Sequence, residues 1–97
     1  MNVIWLPQAQ EQYREILETI RRECGDVVAA KWQRRIFDSA KQLESLPQIG
    51  MEVPEIRNEA IREVGFAPYR VIYRLSTTHC HILAVIHSRQ HLTSEGI

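Results

Sequence analysis

Arg62, Arg70, Arg74, His87, Arg89 and His91 are the side chains of this sequence best suited to chemistry on an anionic group, and most of them crowd one short segment and its exit. Guanidinium groups bind and stabilise negative charge, and an imidazole that titrates near about pH 6.5 gives or takes a proton. The stretches Tyr69 to Leu75 and Cys80 to Arg89 flank Ser76-Thr77-Thr78 and are rich in β-branched and aromatic residues, which reads as a β-hairpin. Strand side chains alternate sides, so Tyr69, Val71, Tyr73 and Leu75 fall on one face and Arg70, Ile72 and Arg74 on the other. The hairpin therefore sets two arginines opposite an aromatic stripe and releases His87, Arg89 and His91 at its end.

The elements that must position these groups are legible upstream. Asn2 to Leu6 reads as a short strand closed by Pro7. Ala9, Tyr13, Ile16, Leu17 and Ile20 then recur at helical steps, and Gly25 followed by Asp26 reads as a C-cap and an N-cap. A second helix is expected from Val27 to Leu46, with Val28, Trp32, Ile36, Ala40 and Leu43 inward and Lys31, Arg34, Arg35, Asp38 and Lys41 outward. Pro47 and Gly50 end that pattern, Gln48 to Asn58 reads as an ordered loop, and Ala60 to Val64 as a strand. Cys80 to Ile86 is apolar at nearly every position, as expected of a central strand buried on both sides. The expected class is α+β in the order β-α-α-β-β-β. An antiparallel-rich sheet of about four strands should carry the N-terminal helical hairpin on one face.

Ninety-seven residues suit a single domain spanning 1–97. Twelve basic residues balance twelve acidic ones, so no global attraction to polyanions exists and any nucleic-acid role must rest on a local patch. No apolar run is long enough to span a bilayer and the first residues lack the regions of a signal peptide, so the chain is expected to be soluble and cytoplasmic, without membrane association. Cys24 and Cys80 show no metal-ligand spacing and are expected to be reduced, structural thiols. No metal or other cofactor is implied.

Order and motifs together resemble the ParE/RelE toxins of bacterial type II toxin-antitoxin modules. The resemblance rests on Trp5 and Ala9 at the entry to the first helix, the Leu46-Pro47-x-x-Gly50 stop, the strand Tyr69-Arg-Val-Ile-Tyr-Arg74 and the terminal Val85-Ile-His-Ser-Arg-Gln90. It implies a compact α+β fold and a cognate antitoxin, a small DNA-binding protein whose disordered C-terminal segment folds over the toxin. Two branches differ in target: one cuts mRNA in the ribosome, the other is associated with poisoning DNA gyrase.

Ribonuclease chemistry needs a proton acceptor, a proton donor and cations for the phosphate. By resemblance Arg70 and Arg89 supply two cations, Arg62 stands where lysines are usual, and His87 or His91 replaces a missing C-terminal tyrosine. The neutral charge and the terminal motif favour the gyrase branch, in which Arg70, Arg74, His87, Arg89 and His91 are candidates for contacting target or antitoxin and no catalytic site is implied. The plainer readings are that Arg70 and Arg74 are strand arginines paired with Glu63 or Glu59, that the histidines are sheet residues, that Trp5 and Trp32 are core, and that the whole is an inert binding module.

Overall fold

Apolar spacing decides the helical layer of the computed structural model, which describes residues 1–88. Helix α1 (Pro7–Cys24) starts on a proline, whose missing N–H costs nothing at that position, and buries Ala9, Leu17 and Ile20. It ends at Gly25, whose N–H donates to the Arg21 carbonyl at 2.9 Å. Gly25 has φ of +91°, a conformation that glycine alone adopts without strain, and the next residue already opens α2 (Asp26–Lys41). One glycine thus joins two helices. Asp26 is the first helical residue and not the expected N-cap, and its carboxylate pairs with Arg21 at 3.3 Å. Helix α2 buries Ala29, Ile36 and Ala40, then tightens into a 3-10 turn over Gln42–Glu44 that buries Leu43. The apolar spacing that predicted a helix to Leu46 continues through this turn, although the α-helical hydrogen bonding does not.

The sheet has five strands: β1 (Asn2–Trp5), β2 (Met51–Glu52), β3 (Ile61–Val64), β4 (Tyr69–Leu75) and β5 (His79–His87), in the order β1-β5-β4-β3-β2. Three pairs are antiparallel, and β1 runs parallel to β5. Two expectations need correction. The fifth strand, β2, lies in the segment read as loop; it has two residues with exposed side chains, so no alternation announces it. The middle strand is β4 and not β5, although β5 is buried over Ile82–Ile86 as its composition requires.

Both faces of the sheet are covered. Val71, Tyr73, Cys80, Ile82 and Val85 pack against Ala9, Ile36, Ala40 and Leu43 of the helical layer. On the opposite face Val53 and Ile56, from the segment after β2, pack on Ile61, Ile72, Leu83, Ala84 and Ile86. The expected ordered loop is therefore a second cover. No helix among the described residues is long and apolar enough to cross a membrane.

A buried tyrosine explains the Leu-Pro-x-x-Gly motif. Tyr73, fully buried, donates its hydroxyl to the Pro47 carbonyl at 2.8 Å and accepts the Gly50 N–H at 3.0 Å. A Cβ at position 50 would lie 2.5 Å from that hydroxyl oxygen, so only glycine permits the approach. Tyr73→Phe leaves a buried N–H and carbonyl unpaired and should cost about 1–3 kcal/mol, read by urea denaturation. Unchanged stability would show that this tether contributes nothing.

Both thiols are free; Cys24 is exposed at the end of α1 and Cys80 is buried in the sheet. Burial pushes the Cys80 thiol and the Tyr73 hydroxyl up. Each acid holds its proton more tightly folded than unfolded, so its contribution is present below the unfolded pKa and is lost as pH rises. Stability should fall above about pH 9, checked by denaturant midpoints across the alkaline range. In the same native protein a thiol reagent should modify Cys24 rapidly and Cys80 only on unfolding.

Candidate functional site

Arg70 leaves β4 on the face opposite Val71 and Tyr73 and meets two carboxylates. Its Nη1 and Nη2 donate to Glu55 Oε2 and Oε1 at 2.8 and 3.0 Å, a two-point fork. Its Nε donates to Glu63 Oε2 at 3.1 Å. The three side chains are only 12, 11 and 27% exposed for Arg70, Glu55 and Glu63. The Glu55 hydrogen bond, reinforced by Glu63, outweighs burial and holds the guanidinium proton more firmly than water would. Taken together these three groups carry one more negative than positive charge. They border a cleft of about 740 Å³ whose apolar wall includes Ile49, Met51, Pro54 and Val64.

The other arginines are spent differently. Arg62 on β3 donates to the backbone carbonyls of Glu59 (3.2 Å), Gln48 (3.3 Å) and Gly50 (3.0 Å), which stitches β2 and its approach to the sheet. Arg74 is exposed, in register with Ile61 on one side and His81 on the other. The pairing of strand arginines with Glu63 or Glu59 is met for Arg70 with Glu63. The pairs formed by the described residues include none between Arg74 and either glutamate.

His87 ends β5 opposite Tyr69, with ring centroids 5.9 Å apart and planes at 81°. Tyr69 in turn meets Trp32 edge-on at 5.2 Å. Tyr69 and His87 also line a second cleft of about 410 Å³ with Gln12 and Glu15. Arg89 and His91 lie outside the described residues.

Of the expected set, the structure turns Arg70 away from Tyr69 and His87, to the other side of the sheet, and places Arg74 further along β4. No group of three or more His, Cys, Asp and Glu among the described residues is arranged to hold a metal ion. Sequence reasoning missed Glu55, which comes from the covering segment fifteen positions before Arg70, in a stretch with no periodicity. It also placed Trp32 in the core, whereas the ring is half-buried against Tyr69 and extends the aromatic row to the surface.

The family description "ParE toxin of type II toxin-antitoxin system, parDE" matches residues 3–92, nearly the whole chain. The protein belongs to the ParE toxin family. Among solved structures it is similar to a chain of the chromosomal ParDE toxin-antitoxin system from P. aeruginosa, with 19% identity and a TM-score of 0.75 over 90% of this chain and 95% of that one. At that identity the likeness concerns the fold, which is the expected α+β architecture. No curated protein matches the sequence.

In this ParE family member the Arg70 cluster is a bond network whose removal has a definite cost. Arg70→Ala leaves Glu55 and Glu63 facing each other with little solvent, and should destabilise by about 2–4 kcal/mol. Arg70→Met combined with Glu55→Gln and Glu63→Gln should recover most of that loss, because no charge is then stranded. Urea denaturation of the single and triple variants checks both statements, and equal stability of the two would contradict the charge argument.

Proposed function

We propose that this ParE family toxin arrests growth by binding and not by catalysis: it holds DNA gyrase in a state in which cleaved DNA is not resealed, and a cognate antitoxin neutralises it. The observation that carries this reading is the state of Arg70. A phosphate approaching that guanidinium would have to displace two carboxylates, and the excess negative charge of the three groups repels it. Arg62, another cation that ribonuclease chemistry would recruit, is occupied by three backbone carbonyls. A ribonuclease site needs cations poised for the transition state, and these two are committed to the fold.

The same geometry bears on the antitoxin. Arg70 already has its carboxylates, so an acidic antitoxin segment gains little there. Exposed Arg74 and the outer edges of β1 and β2 fit better, because an edge strand offers unpaired backbone groups to an extended segment. Such a segment pays its ordering entropy on binding and is held by main-chain bonds.

The test is a paired assay of purified toxin: gyrase supercoiling and cleavage-complex formation beside ribosome-programmed mRNA cleavage. Trapped cleaved DNA, lost supercoiling and intact mRNA are expected, with Arg70→Lys retaining most of the inhibition because Arg70 has a structural role. Codon-phased cuts with unaffected gyrase would overturn the proposal in favour of ribonuclease. Normal growth on expression without antitoxin would show an inert module.

A further inference from the structure

The chain is neutral overall, yet its charge is not evenly neutralised. Arg14 of α1 pairs with Glu11 and Glu18, Arg21 with Asp26, and Arg70 with Glu55 and Glu63. On α2, Lys31, Arg34 and Arg35 are all exposed, and none of them forms an ion pair among the described residues. Lys31 and Arg35 are one helical turn apart, where like charges repel. This is the local patch that a neutral chain needs before it can meet a polyanion.

The aromatic groups beside the patch narrow the partner. The Arg35 guanidinium lies 5.2 Å from the Trp32 ring centroid and 5.8 Å from that of Phe66. Rings attract the cation through their π faces but supply no counter-charge, so its N–H donors stay available to an anion. Phe66, in the turn between β3 and β4, is 57% exposed. A large apolar ring kept in water beside the Arg35 guanidinium, with Lys31 and Arg34 exposed on the same helix, matches the pairing of stacking surface and backbone charge that single-stranded nucleic acids use. A run of acidic residues alone would take the cations and leave the ring uncovered, whereas an unpaired base covers it by stacking.

We infer that the outward face of α2, with Lys31, Arg34 and Arg35, and the neighbouring Phe66 form a binding strip for single-stranded DNA, the cations taking phosphates and Phe66 taking an unpaired base. The inference rests on the gyrase reading for its choice of DNA, the substrate that such a target holds. Three phosphate contacts make a weak site, one that acts when a target presents the strand.

Fluorescence anisotropy of a labelled oligo-dT of about 15 nucleotides, titrated with toxin at rising salt, tests it without gyrase. Micromolar binding is expected, with log Kobs falling against log salt at a slope of about −2, from about 0.7 per phosphate. Arg34→Ala and Arg35→Ala should each weaken binding about three- to ten-fold and flatten the slope by about 0.7. Phe66→Ala should weaken it about five-fold or more and leave the slope unchanged. Arg22→Ala, at an exposed position on α1, should change nothing, and circular dichroism confirms that each variant is folded. Absence of binding at low salt, indifference to the α2 and Phe66 variants, or equal displacement by an oligoglutamate of matching length would each overturn the strip. Gyrase inhibition by the same variants separates the two claims. Inhibition without DNA binding sinks the strip alone, and DNA binding without inhibition sinks the gyrase reading alone.

Discussion

The Tyr73 hydroxyl holds the chain at the point where it leaves the helical layer, and much of the second half of the structure depends on that hold. By donating to Pro47 and accepting from Gly50 it pins a short segment against the middle strand. Gly50 runs directly into β2, and Arg62 clasps the carbonyls of Gln48 and Gly50 from β3. The backbone is then aimed across the far face of the sheet, where Val53 and Ile56 bury apolar surface against β3, β4 and β5. Burial of that kind contributes roughly 1.5–3 kcal/mol per large aliphatic side chain, so the cover is a substantial stabilising layer.

The same course of chain delivers Glu55 to Arg70. A strand arginine on a half-covered sheet face would ordinarily reach for water or for a ligand. Here the covering segment closes over it with a carboxylate whose geometry fits the guanidinium fork, and Glu63 approaches from the neighbouring strand. Desolvating a cation is unfavourable unless hydrogen bonds and opposite charge offset it, and this network supplies both. The consequence reaches function: a residue type that could stabilise a phosphate transition state is committed to holding two layers together. On the outside lie the strand edges, the α2 face and the edge-on pair of Trp32 and Tyr69.

Family membership and fold agree on this architecture, and they do so at low sequence identity. That combination is intelligible physically. The helical hairpin needs only apolar spacing and one glycine, and the hairpin strands need only alternation. The tether needs a tyrosine, a glycine and the carbonyl of any residue at position 47. Few identities are demanded, and most surface positions can change. A neutral chain can still segregate its charges: Arg14 pairs with two glutamates within α1, whereas Lys31, Arg34 and Arg35 of α2 form no ion pair among the described residues, although Asp38 stands four and three positions beyond Arg34 and Arg35.

The sequence by itself determined β1, closed by Pro7, and the elements whose signal is periodic: α1, the body of α2, β3, and the β4–β5 hairpin with Tyr69, Val71 and Tyr73 on one face and Arg70 and Ile72 on the other. Periodicity is local, so it survives in the one-dimensional chain. The order of short motifs also carried the family, and the sequence offered Glu63 or Glu59 as partners for the strand arginines, of which Glu63 meets Arg70. Only the tertiary structure decided the rest. Strand β2 exists because β3 offers an edge, not because Met51 and Glu52 alternate. Glu55 meets Arg70, and Arg62 meets three carbonyls, through chain crossings that no spacing encodes. Whether an arginine binds a ligand or a neighbour depends on which groups the fold brings within hydrogen-bond reach, and that is a property of distances through space.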